Sequence, residues 1–179
     1  MQLKGLIALA VCASALILPL NASAESVPTT PIREAASYVG YESDIAAIHQ
    51  LLKTYAKSVD NADVDLAATI WQTTDATTFI HPRGNEYGWE AVKNNFYGKT
   101  MGETFSKREL QIHDVYIEVY GDTAVVVFYW DFPAVFRKDG SNITTHGRES
   151  QVLRRTKDGW KIVHVHYSNM PVTGDKQGF

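Results

Sequence analysis

Four long runs of alternating or β-branched residues, separated by turn dipeptides, occupy the second half of this chain. Leu110–Tyr120, Thr123–Phe136, Ile143–Arg155 and Trp160–Ser168 read as strands, with Gly121-Asp122, Asp139-Gly140 and Asp158-Gly159 between them. Asp-Gly is a strong hairpin signal, because the tight primed turns need positive φ at their central residues. Four successive hairpin-linked strands make an antiparallel meander, and its apolar face must be covered by whatever precedes it in the chain.

What precedes it is mostly helical. Ser43 stands as a candidate N-cap with Asp44 in the first turn, and Ile45, Ile48, Leu52, Tyr55 and Val59 follow at spacings of three and four. Asp60-Asn61 breaks that helix. Asp63 can cap a second, shorter one carrying Leu66, Ala67, Ile70 and Trp71. Thr77–His81 is a short strand stopped by Pro82 and Gly84, and Trp89, Val92 and Phe96 mark a third helix closed by Gly98. The order predicts an α+β domain, three N-terminal helices on a curved, mainly antiparallel sheet, over residues 43–171, followed by a tail at 172–179.

The beginning of the chain reads as an address. Lys4 precedes an uncharged, apolar run from Leu6 to Leu20, and Ala22-Ser23-Ala24 supplies small residues suited to cleavage. That run, roughly 15 residues, is shorter than the ~20 a spanning helix needs. The expectation is a signal peptide over 1–24, cleaved after Ala24, then a linker at 25–42, and a secreted or periplasmic protein with no membrane attachment. Cleavage removes Cys12, the chain's one cysteine, so the mature domain would be held by its core and not by disulfides.

Of the 179 residues 45% are hydrophobic and 21% charged, which suits one folded domain and excludes a disordered chain. With 17 Lys+Arg against 20 Asp+Glu, there is no electrostatic footprint for nucleic acid. No nucleophile elbow, phosphate loop, CxxC or HExxH motif occurs, and Arg154-Arg155-x-Lys157 reads as a solvated hairpin.

Three strings carry a family resemblance: DGWKIVHVHYSNMP (Asp158–Pro171), FIHPRGNEYG (Phe79–Gly88) and HGRESQVLRR (His146–Arg155). Together with the element order, they resemble the SnoaL-like branch of the nuclear transport factor 2-like superfamily. That group is related to ketosteroid isomerases and to the association domain of calmodulin-dependent kinase. The resemblance implies a cystatin-like cone enclosing a pocket, and a homodimer formed through the sheet. The long strands with two apolar faces also suit such a pairing. It does not imply one activity, because the fold hosts isomerases, cyclases, dehydratases and binding modules.

Against the isomerases, Tyr55 stands where a first-helix tyrosine is expected, ahead of Asp63. The Asp-Pro-x-Gly turn that holds their base becomes His81-Pro82-Arg83-Gly84, and the strand position of their protonated aspartate, counted back from Gly159, falls on Arg148. The resemblance therefore implies His81 as general base, with Arg148 and Tyr55 as anion stabilisers. Imidazole, guanidinium and phenol are chemically apt for those roles. Steroid isomerisation itself is not carried over, since two of the three groups differ. The plainer readings stay open: His81 satisfying its turn, Arg148 pairing with Asp131 or Glu149, Tyr55 as core.

Alternation puts Trp160, Ile162, His164, His166 and Ser168 on one strand face. His164 and His166, with His146 or His81, could approximate a zinc set, but no carboxylate completes it, so no metal and no cofactor are expected. His164, His166, Trp71, Tyr97 and Asp131 remain candidates for ligand binding, with core or pocket wall as the alternative for Trp71 and Tyr97. The expected partner is a small molecule, anionic or carbonyl-bearing, and isomerase or lyase chemistry competes with plain binding and with an assembly role.

Overall fold

The computed structural model describes residues 40–170, all within the compact unit Ile32–Phe179. The expected signal peptide, the linker up to residue 39 and the tail at 172–179 lie outside the described residues. Helices α1 (Glu42–Asn61) and α2 (Val64–Ala68) come first, then the strands β1 (Thr78–His81) and β2 (Gly84–Tyr87). Helix α3 (Trp89–Ala91) runs straight into a π-helical stretch, Val92–Glu103. Strands β3 (Phe105–Arg108), β4 (Gln111–Tyr120), β5 (Thr123–Phe136), β6 (Asn142–Thr156) and β7 (Gly159–Met170) complete the chain. They form one mixed sheet of seven strands in the order β2-β1-β7-β6-β5-β3, with β4 beside β5. β1 and β7 run parallel and the other pairs antiparallel. This is the α+β cone that the sequence implied.

Helix α1 lies across the inner face of the sheet and buries Ile48, Leu51, Leu52, Tyr55 and Val59. Its first turn is tied to the β6–β7 hairpin through Asp44. Arg155 grips that carboxylate with both guanidinium ends, one at 2.6 Å, and Trp160 Nε1 donates to it at 3.1 Å. The guanidinium beside it lowers the Asp44 pKa. Arg155 is therefore an anchor and not part of a merely solvated hairpin. Ser43 is not the cap, since the helix begins at Glu42 with Tyr41 before it. Asp63 does cap α2, accepting from Leu66 N–H at 2.9 Å.

Two expectations about helix ends fail. α2 stops at Ala68, because Ile70 and Gln72 turn to bond the backbone of Ile162 in β7 at 2.8 and 2.9 Å. The third helix does not stop at Gly98 but widens and continues to Glu103. Thr100 and Thr104 return their hydroxyls to carbonyls five residues back, at 2.9 and 3.2 Å. That wider turn sets Phe96, Thr100 and Thr104 along one side of a cavity.

Two irregularities in the sheet decide which side chains face inward. In β4 the register shifts between His113 and Tyr116, with Asp114 at φ 51°. In β7 Ile162 pairs with Leu153 and His164 with Val152, so Val163 is an extra residue that reverses the alternation. Trp160 and Ile162 point inward before the bulge, Val165 and Tyr167 after it. His164 and His166 therefore leave the face of Trp160 and Ile162, which corrects the common face expected from strict alternation. On β5 the inner face is Ala124, Val126, Phe128, Trp130, Phe132 and Ala134, and the outer face carries Val125, Val127, Tyr129 and Asp131.

Candidate functional site

A cavity of about 260 Å³ opens between the π-helical stretch, α1 and the inner face of the sheet. That is near the lower end of small-molecule sites, which run from ~300 Å³ upward. Phe96, Met101, Phe105, Leu110, Phe132 and Phe136 give it apolar walls. Trp130 forms another wall, standing edge-on to Tyr167 with ring centroids 5.8 Å apart. The indole lies close against the backbone of β6, which only a glycine permits there. A Cβ at Gly147 would sit 2.1 Å from the ring and 2.5 Å from the carbonyl of Ser168.

The deep end of the cavity holds one carboxyl group. Glu149 is 4% exposed, and its Oε1 accepts from Gln151 Nε2 at 2.7 Å. The hydroxyl of Tyr55, a residue 1% exposed on α1, lies close enough to favour its charged form. Burial drives the Glu149 pKa up to about 8, against the lowering effect of those two donors. Burial likewise raises the Tyr55 phenol well above its ordinary value, with the Glu149 charge adding to it. Near neutrality Glu149 is thus largely a neutral acid with a proton to give, at the bottom of an apolar cavity.

The three residues the resemblance assigned to catalysis do not converge. Tyr55 lines the cavity. Arg148 sits on the outer face of β6, exposed, with Nε donating to Ser168 Oγ at 3.3 Å. Inward positions on β6 are Gly147, Glu149, Gln151 and Leu153, so the count along the strand was one residue off. Arg148 pairs with neither Asp131 nor Glu149. His81 lies at the rim, beside Tyr167 and Phe79. Its Nδ1 accepts from the Arg83 N–H at 3.3 Å and its Nε2 meets Glu86 Oε1 at 3.3 Å. With Nδ1 accepting, Nε2 carries the proton, and neither nitrogen keeps a lone pair for a substrate. In this arrangement His81 serves its turn, the plainer of the two readings.

Of the other candidates, Trp71, Tyr97, Asp131 and His164 find structural partners, while His166 is exposed. Trp71 and Tyr97 are core, and a directed chain runs through them. Trp71 Nε1 donates to Tyr97 Oη at 3.1 Å, Tyr97 meets Ser58 Oγ at 3.0 Å, and Ser58 donates to the Tyr55 carbonyl at 2.7 Å. That chain fixes the backbone of Tyr55, which lines the cavity. Asp131 stands on the outer face between His146, which bonds it closely, and His113 at 3.6 Å. His164 Nδ1 meets Thr78 Oγ1 at 2.7 Å, and burial with the neighbouring His166 lowers its pKa. Among the described residues no group of three or more His, Cys, Asp or Glu side chains is set to hold a metal.

Sequence reasoning missed Glu149 as the inner acid and missed Arg83. Glu149 was adjacent to the chosen position, and the pair Val152-Leu153, both apolar, hid which parity faced inward.

The chain matches the SnoaL-like domain family over residues 48–173. Among solved structures, a nuclear transport factor 2-like superfamily protein from Salmonella enterica serovar Typhimurium is 44% identical. The match covers 76% of this chain and 99% of that one, with a TM-score of 0.72. A protein described as nuclear transport factor 2-like with a cystatin-like fold, from Novosphingobium aromaticivorans, is 16% identical over 74% of this chain and 85% of its own, TM-score 0.59. The CaMKII hub of S. rosetta is 24% identical over 70% and 95%, TM-score 0.55. The last two share the fold. No curated protein matches the chain.

Proposed function

Because this chain belongs to the SnoaL-like domain family, we propose that it is a small-molecule pocket enzyme that moves a proton at a carbonyl or hydroxyl-bearing carbon, with Glu149 as the acid–base group. The observation that carries this reading is the Glu149 carboxyl, buried beside Tyr55, held by Gln151, and raised to about 8 inside an apolar cavity. A general acid or base works best when its pKa lies near the working pH. As the neutral acid, Glu149 donates to the oxygen of a bound carbonyl or protonates a leaving hydroxyl. As the carboxylate, it takes a proton from the adjacent carbon. Gln151 holds the carboxyl in place in both states. Isomerase and lyase reactions share this step. The ligand that fits is compact, mostly apolar and oxygen-bearing.

The test is exchange, which needs no knowledge of the natural substrate. Solvent deuterium uptake at the methyl group of an aryl methyl ketone, followed by NMR, is expected to be faster with wild type than with Glu149→Gln. Equal rates with saturable binding in both proteins would make it a binding protein and end the enzymatic reading.

Two coarser features accompany the proposal. Export is supported by Lys4, the apolar run and Ala22-Ser23-Ala24. Homodimerisation through the outer face of the sheet is supported by the side chains of Val127 and Tyr129, 37% and 38% exposed on that face.

A further inference from the structure

A charged group also lines the cavity. Arg83, an exposed residue, lines both the cavity and an adjoining polar vestibule of about 470 Å³ that shares Thr100 and Thr104 with it. It is the second residue of the two-residue turn between β1 and β2, where His81 pairs with Gly84. Pro82 restricts that turn, and the Arg83 N–H is held by His81 Nδ1 at 3.3 Å. The turn is therefore fixed by the rim histidine, and it presents an arginine at the mouth.

Among the described residues no carboxylate pairs with the guanidinium. Glu86, in the same vestibule, is engaged by His81 at 3.3 Å and by Asn95 at 2.7 Å. Glu103 lines the vestibule but not the cavity. Among the described residues, no ion pair or side-chain hydrogen bond holds the Arg83 guanidinium. The Tyr167 hydroxyl on the cavity wall feels both groups: burial and Glu149 raise its pKa, and Arg83 lowers it. An apolar cavity lined by a neutral acid and by a planar cation unpaired among the described residues is matched by a two-ended ligand. One end is a neutral oxygen and the other a carboxylate, which guanidinium binds in a fork.

We propose that Arg83 is the anion-recognition residue of this site, and that the natural ligand is a compact, ring-bearing carboxylic acid with its carbonyl or hydroxyl oxygen at the far end. The orientation rests on the reading of Glu149 and Tyr55 as the oxygen-binding end. The charge preference rests on Arg83 alone.

Calorimetric titration with 4-acetylbenzoate, the longer 3-(4-acetylphenyl)propanoate, the methyl ester of each, and acetophenone separates the two claims. Wild type is expected to bind at least one acid about fivefold tighter than its ester, the size of a partly exposed charge pair. The advantage shrinks as salt is raised. Arg83→Gln brings that acid level with its ester and leaves acetophenone unchanged. Esters as tight as both acids in wild type, or an advantage that survives in Arg83→Gln, overturns the proposal. An Arg83-dependent acid preference with all affinities unmoved by Tyr55→Phe keeps the anion site and refutes the carbonyl end. Ester binding weakened by Tyr55→Phe without any acid preference does the reverse. No binding of any probe at millimolar concentration counts against both.

Discussion

Replacing Glu149 by Gln should reshape how stability depends on pH. The carboxyl is raised from 4.5 to about 8 in the folded chain, with burial as the first cause. Below pH 4.5 the group is protonated in both states and costs nothing. As pH rises past 4.5 the unfolded chain ionises while the folded one does not, so stability falls by ~1.4 kcal/mol per unit. The fall levels off above about 8, where the folded group also ionises. The full span is about 5 kcal/mol, and between pH 5 and 7.5 it is about 3 kcal/mol. Glutamine keeps the shape, accepts from Gln151 through its amide oxygen, and has nothing to ionise. Urea titrations at fixed protein concentration, at pH 5, 6.5 and 7.5, should show Glu149→Gln gaining on wild type by that amount at unchanged m. Parallel stability curves for the two proteins would refute the raised pKa, and with it the acid–base role built on it.

Tyr97→Phe should cost about 1–3 kcal/mol, because it strands the buried Trp71 N–H, while leaving the affinity for cavity ligands within about twofold. A large affinity loss at unchanged stability would instead place Tyr97 in the site. Gly147→Ala should destabilise by about 3 kcal/mol or more, since both the Trp130 ring and the Ser168 carbonyl lie inside the space a Cβ needs. Wild-type urea midpoints in that variant would refute the close approach. Light scattering should give twice the mass of one chain, and intact-mass analysis of protein from its native cell should place the N-terminus at Glu25; a monomer mass or a retained Met1 sinks the respective proposal.

The lengths and order of the long strands were legible in the chain, because turn chemistry is local. Positive φ at Gly121, Gly140 and Gly159 is a property of three or four residues at a time, and the four long strands end within two residues of the expected bounds. The Asp63 cap and the apolar stripe of α1 are local in the same sense. The strings around Phe79, His146 and Asp158 carried the family, and with it the cone.

Facing is different, because it depends on how strands pair. One extra residue at Val163 turned His164 and His166 away from the face of Ile162, and nothing in a histidine pair announces a bulge. On β6 no irregularity was needed. Val152 and Leu153 are equally apolar, so only pairing with Phe128 and Trp130 decided that Glu149 points inward and Arg148 outward. His81 lines the vestibule beside the cavity, and its two nitrogens were assigned by Arg83 and Glu86, partners set by the β1–β2 register. Spacing along a chain places a side chain to within one residue, and a sheet reverses its face over that same one residue. Tertiary pairing therefore chose the acid.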